Sequence, residues 1–281
     1  MRRMLCAALL LLGLCCAAWA EEALPAGVVE RMNGEQPGEY VLLSLPGGRQ
    51  AAAVLDVLRA HRVTRLSVNP QSMNDAVLSA IGRRHTAEDI RRAMALVKDA
   101  GFPHVNMDLI AGLTGDTPEG FAASLRECLA MGADNITVHT LSLKKGSRIT
   151  LAQNTPEARL PDAADVAKML DYANGALRKH GYAPYYLYRQ KYMSGSFENV
   201  GWTLPDAESL YNIYIMEELH GILSLGAGAS TKMVARGENG EALIRRAFNA
   251  KYPKEYIERS EKWRANLDEF AQFYRNRIER S

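Results

Sequence analysis

From Leu66 to Ser147 short apolar runs alternate with amphipathic stretches, and polar residues follow each apolar run at once: SVNPQSMND, IGRRHT, NMDLIAGLTGDT and ITVHTLSLKKGS. Strands alternating with helices of this length predict parallel β/α units. In α/β barrels the chemistry sits just past the carboxyl ends of such strands. The polar residues that close each apolar run are therefore the first candidates for a site.

Local signals place the elements. Val54, Leu55, Val57 and Leu58 suit a helix over Gln50 to His61, followed by a strand from Arg65 to Asn69. Asn74 can cap a short helix through Ile81. Thr86 and Asp89 form a capping-box pair before a longer helix that stops at Gly101. A strand over Val105 to Ile110 comes next, then a helix opened by Thr117-Pro118 and closed by Gly132, then a strand over Ile136 to Thr140. A second region starts near Pro161, with a helix to about Lys179 and Gly181 as its stop. Beyond it the sequence predicts an aromatic strand Tyr185-Tyr186-Leu187-Tyr188, a helix from about Glu208 to Leu219 and a strand-like run Ile222 to Leu225 leading into Gly226-Ala227-Gly228-Ala229. Asn239-Gly240 suits a hairpin turn. From Pro253 onward the chain reads as a charged helix with Trp263, Leu267, Phe270 and Tyr274 on one face.

The first twenty residues differ from the body. Arg2-Arg3, an apolar run and Ala18-Trp19-Ala20 before Glu21-Glu22 have the form of a secretory signal peptide, too short for a comfortable membrane span. The alternative is a gene that begins in the wrong place. Residues 21–47, rich in Glu, Gly and Pro, read as a linker or an unassigned segment. The expected divisions are thus 1–20, 21–47, 48–150 for the β/α region and 151–281 for the rest. Export is expected if residues 1–20 are a true signal, and the cytoplasm otherwise.

With 281 residues, 47% of them hydrophobic, the chain can bury a substantial core. A formal net charge of +2 gives no electrostatic case for nucleic acid or an anionic membrane surface. The basic residues are dispersed, apart from a modest cluster at Lys144, Lys145 and Arg148. No His spacing suggests a metal site. Four cysteines, Cys6, Cys15, Cys16 and Cys128, leave one outside the signal-like segment, too few for an internal disulfide.

Asp108 is the most informative single residue. A carboxylate within the apolar run Val105 to Gly112 costs several kcal/mol if buried unpaired, on the order of what a lost buried ion pair costs. It is therefore paired, with Arg83 as the obvious partner, or it faces a ligand. Gln71 follows the strand directly and would point into a barrel mouth, although Pro70-Gln71 also reads as a plain turn. Arg83 offers a guanidinium fork suited to a carboxylate, or else a solvated helix end, with Arg84 as a competitor. Gly112 to Thr117 could cradle an anion at a helix N-terminus, but a tight turn explains it equally and the P-loop pattern fails. His139 on its strand reads as structural. Tyr185, Tyr186, Tyr188, Arg189 and Gln190 form an aromatic and basic strip that could hold a flat acidic macrocycle, or pack against the barrel.

Taken in order, these motifs resemble the second half of a radical S-adenosylmethionine (SAM) barrel of the oxygen-independent coproporphyrinogen III oxidase and coproporphyrinogen dehydrogenase family, from roughly Gly48 onward. Glu198-Asn199-Val200-Gly201-Trp202 and Gly226 to Ser230 are similar to segments of that branch. The resemblance implies a partial radical SAM (β/α)6-type barrel with a mixed α+β C-terminal region. It implies SAM contacts at Gln71, Arg83, Asp108 and Ser142, and substrate-binding candidates at Tyr186, Tyr188 and Arg189. In that family a 4Fe-4S cluster on a CxxxCxxC loop cleaves SAM reductively, and a propionate of coproporphyrinogen III loses carbon dioxide to become a vinyl group. Here no three cysteines have that spacing, and Pro46 stands where an acidic residue is expected. The first barrel strands and their glycine-rich loop are also expected to be missing. The implied ligand is a porphyrinogen or haem, the electron donor is open, and the chain alone is expected to be inactive. A haem or porphyrin carrier is the alternative.

Overall fold

The computed structural model describes residues 49–60, 63–142, 160–188, 197–237 and 240–278, with side chains from 54 and to 275. These fall into two compact units, one ending at Leu210 and one starting at Tyr211.

The first unit is a sheet with helices on one side. Its elements are α1 (Arg49–Ala60), β1 (Arg65–Ser67), α2 (Asp75–Ala80), α3 (Ala87–Asp99), β2 (His104–Ala111), α4 (Pro118–Ala130), β3 (Asn135–Thr140), α5 (Ala163–Lys179), β4 (Ala183–Tyr188) and β5 (Asn199–Thr203). The five strands run in the order β1-β2-β3-β5-β4. β1, β2 and β3 are parallel, as the β/α alternation predicts. β5 then pairs antiparallel with both β3 and β4, which makes the sheet mixed. Among the described residues the sheet does not close into a barrel.

The helix starts follow from local chemistry. Asn74 accepts from the amides of Ala76 and Val77, Thr86 and Asp89 complete a reciprocal capping box, and Thr117 accepts from the Gly120 amide ahead of Pro118 at the first turn. α3 ends where Gly101 takes φ 72°, a conformation a side chain resists.

β2 shows how the pleat sorts the sheet's two sides. Val105, Met107, Leu109 and Ala111 are 0–4% exposed and lie on the side covered by α4 and α5, which bury Phe121, Leu125, Val166, Met169 and Leu177. Each such Leu, Met or Val stabilises by about 1.5–3 kcal/mol. Asn106, Asp108 and Ile110 alternate onto the opposite side and are half-buried.

The second unit contains α6 (Leu210–Met216), β6 (Ser230–Arg236), β7 (Ala242–Phe248), α7 (Pro253–Glu258) and α8 (Ser260–Ile278). β6 and β7 form an antiparallel hairpin closed near Gly240, whose φ is 82°. Asn239 of the expected turn lies outside the described residues. Met233, Ala247 and Phe270 form its core, with Leu223, Phe273 and Tyr274 against them. The Tyr274 hydroxyl donates to the Val234 carbonyl and accepts from its amide, both at 3.0 Å.

Several details differ from expectation. Ile222 to Leu225 makes only one bridge, Ile222 to Lys232, because the chain turns away at Gly226 and Gly228, both at positive φ. The helix expected over Glu208 to Leu219 covers only Leu210–Met216 and ends before Glu218, which takes φ 52°. The terminal helix is two helices, broken at Arg259, whose backbone is not helical. No helix among the described residues is long and apolar enough to cross a membrane.

Candidate functional site

The site is assembled on the sheet face opposite α4 and α5. Strand register decides which side chains meet there. Ser67 lies beside Asn106, Asp108 beside Thr137 and Ile110 beside His139. Thr137 lies beside Gly201, and across β5 Gly201 lies beside Tyr186 and Asn199 beside Tyr188. The polar residues spaced by two along β2 and β3 thus share one face, and two tyrosines of β4 project over it.

Gln71 sits at the top of this face. It is a non-glycine residue at φ 67° and only 9% exposed. Its amide donates to the Asp108 carbonyl at 2.9 Å, and its carbonyl accepts from Ile110 at 3.0 Å, so β2 locks the strained backbone in place. Strain of about 1–3 kcal/mol held by its neighbours is characteristic of ligand clamps and active sites.

Asp108 is half-buried on β2. Its Oδ1 accepts from the Asn106 amide at 2.8 Å, and its Oδ2 lies 3.8 Å from His139 Nε2. The ion pair with Arg83 that the sequence allowed is not made. Arg83 is exposed in the turn after α2, where its backbone amide donates to the Leu78 carbonyl at 2.9 Å.

From Asp108 two polar chains reach the tyrosines. Asn106 Oδ1 accepts from the Thr137 hydroxyl at 3.2 Å, and that hydroxyl lies 3.1 Å from the Tyr186 hydroxyl. His139 Nδ1 is 3.3 Å from the Tyr188 hydroxyl. The Tyr186 and Tyr188 rings are nearly parallel, at 12° with centroids 6.4 Å apart, and Tyr185 meets Tyr186 edge-on at 4.8 Å. Burial pushes the Tyr186 phenol above its ordinary range, against the opposing effect of its hydrogen bond with Thr137, so it stays protonated at any physiological pH.

The remaining candidates separate. Ser142 is half-buried just beyond β3, at the same strand end as Gln71. Arg189, Gln190, Lys144, Lys145 and Arg148 lie outside the described residues. In the Gly112 to Thr117 loop, Asp116 is 7% exposed; its Oδ1 accepts from the Thr117 amide at 2.9 Å while its Oδ2 has no partner. Burial pushes this carboxyl up to about 6.

His139, Asn106 and Thr137 were not singled out as functional from the sequence. The available signal was the spacing of two in Asn106/Asp108 and Thr137/His139, polar residues inside otherwise apolar strands.

Cys128 is the one cysteine among the described residues. It is fully buried in α4, and burial raises its thiol to about 12. Such a thiol is a poor iron ligand. Among the described residues no three His, Cys, Asp or Glu side chains are grouped to hold a metal ion. The donor set described here therefore does not fit a 4Fe-4S cluster.

Residues 17–128 match the family profile of the Radical SAM superfamily, a match that begins upstream of Gly48, where the motif resemblance starts. The chain is 42% identical over 207 residues to the oxygen-independent coproporphyrinogen-III oxidase-like protein HemZ of Bacillus subtilis, across 74% of this chain and 40% of that protein. It is 31% identical over 211 residues to the haem chaperone HemW of Lactococcus lactis, across 74% of this chain and 52% of that protein. In fold it is similar to the coproporphyrinogen III oxidase HemN of Escherichia coli, a radical SAM enzyme, with a TM-score of 0.56 at 22% identity, covering 80% of this chain and 48% of that one. The chain thus spans about half the length, or less, of these relatives.

Proposed function

We propose that this chain supplies the SAM-binding and tetrapyrrole-binding half of a coproporphyrinogen-oxidase-like radical SAM protein. The observation that carries the reading is the strained, buried Gln71 locked onto the backbone of Asp108, with that carboxylate facing away from the covered side of the sheet. A carboxylate and an amide at one strand end suit the hydroxyls and ammonium of SAM, which needs acceptors. Gln71 and Asp108 would hold SAM, with Ser142 beside them and Arg83 brought in from its exposed turn towards the SAM carboxylate. Tyr186 and Tyr188 would carry the macrocycle by stacking, and Arg189 would take a propionate.

In a coproporphyrinogen oxidase the hydrogen abstraction of oxidative decarboxylation would be supplied by SAM with a reduced cluster, for which the described residues of this chain offer no ligand set. The protein's own share is to bind, orient and exclude water. The cysteines of this chain do not provide the cluster spacing, so the chain alone binds without turning over. Anaerobic reconstitution with iron and sulfide, followed by an assay for 5′-deoxyadenosine, tests this. No product is expected, and multiple turnovers would refute it.

The likeness to a haem chaperone favours a second reading, haem carriage on the same tyrosine face. A Soret band on haem titration, lost in Tyr186→Ala/Tyr188→Ala, supports carriage. Coproporphyrin binding without haem binding supports the oxidase branch.

A further inference from the structure

Both tyrosine hydroxyls reach back to the same carboxylate, each through a separate side-chain route: Tyr186 through Thr137 and Asn106 to Asp108 Oδ1, and Tyr188 through His139 to Asp108 Oδ2. The two routes differ in tightness. Every link of the first is 3.2 Å or less, whereas the second has links of 3.3 and 3.8 Å, with His139 a quarter exposed. The second is therefore the adjustable one. A Tyr188 hydroxyl that donates to Nδ1 leaves the proton of a neutral imidazole on Nε2, facing Asp108.

We propose that His139 is a positioning residue that couples ligand binding at Asp108 to ligand binding on the Tyr186–Tyr188 face. A flat ligand resting on Tyr188 fixes its phenol. The phenol fixes the imidazole plane, and Nε2–H then closes on Asp108 and sets the carboxylate oxygen that faces SAM. By linkage the effect is reciprocal, so SAM at Asp108 prepares the tyrosine face by the same factor. The groups facing His139 are Asp108 from β2 and Tyr188 from β4. This inference rests on the reading of the site as a SAM and tetrapyrrole site.

The test is SAM affinity of the full chain by calorimetry, with and without saturating coproporphyrin III, in the wild type, His139→Leu and Tyr188→Phe. In the wild type, coproporphyrin III is expected to tighten SAM about fivefold or more, within the usual range of coupling between sites. His139→Leu is expected to bind each ligand alone within about threefold of wild type, the scale of one weak neutral hydrogen bond, and both variants are expected to lose the coupling, read as the ratio of SAM affinity with and without coproporphyrin III. A merely structural role would weaken single-ligand binding and leave the ratio intact. Tyr188→Phe keeps the ring and its packing, so it reads the coupling even if His139→Leu unfolds. Two ligands that bind independently, or a coupling that Tyr188→Phe preserves, would overturn the role of His139 alone. A folded wild-type chain that binds neither ligand would overturn the site reading and this inference together.

Discussion

The ring of Tyr186 lies directly over Gly201, so close that a Cβ at that position would overlap the ring. The absence of a side chain on β5 is what lets β4 lay its tyrosine across the sheet face and reach Thr137.

Gly201→Ala therefore pushes Tyr186 off the face. Overpacking of this kind costs about 1–3 kcal/mol. The expected outcome is a lower melting temperature together with weaker coproporphyrin binding, read by calorimetry and by the Soret band. Unchanged stability and unchanged porphyrin affinity would show that Tyr186 has another place to go.

Asp116 gives a pH signature. Its carboxyl titrates near 6 when folded, against an ordinary value of 3.8, so the folded state holds the proton more tightly than the unfolded chain. The stabilisation is complete below about 3.8 and is lost as pH rises through 6, on the order of 2–3 kcal/mol between those limits. Asp116→Asn keeps an oxygen for the Thr117 amide and carries no charge. It is expected to stabilise the protein at pH 7.5 and to have little effect at pH 4, as judged by denaturant midpoints at each pH. A constant difference between wild type and variant across that range would contradict the burial argument.

Cys128 has its thiol raised to about 12 and is enclosed in α4. It is expected to resist alkylation by iodoacetamide at pH 8 in the native chain and to react at once in guanidinium. Rapid native labelling would mean that α4 opens readily.

Thr86→Ala removes one side of the capping box at the start of α3. A loss of about 1 kcal/mol is expected from chemical denaturation; an unchanged midpoint would show that the cap contributes nothing.

What could be read from the sequence follows physical range. The caps at Asn74, Thr86 and Thr117 are legible because each is satisfied within three residues of itself. The parallel strands β1 to β3 are legible because their apolar runs are bounded by such caps and by stop glycines. β5 was not foreseen as a strand: it is five residues long, includes Gly201, and owes its existence to β3, some sixty residues earlier. The same holds within the site. Asp108 stands out in the sequence because a charge in an apolar run demands an explanation, but its partners could not be named without the register that sets Asp108 beside Thr137 and Ile110 beside His139. Arg83 was the partner that chemistry suggested, and the turn after α2 leaves it exposed instead. Gln71 was legible only by position; its positive φ is a property of the β2 pairing that holds it.

The most direct test is SAM binding by isothermal titration calorimetry, comparing the wild-type chain with Asp108→Ala, both shown to unfold cooperatively. The account predicts saturable binding that weakens at least about tenfold in the variant, the scale of a lost hydrogen bond to a charged group. A folded wild-type chain that does not bind SAM, or an Asp108→Ala chain that binds it equally well, would contradict the assignment of this sheet face.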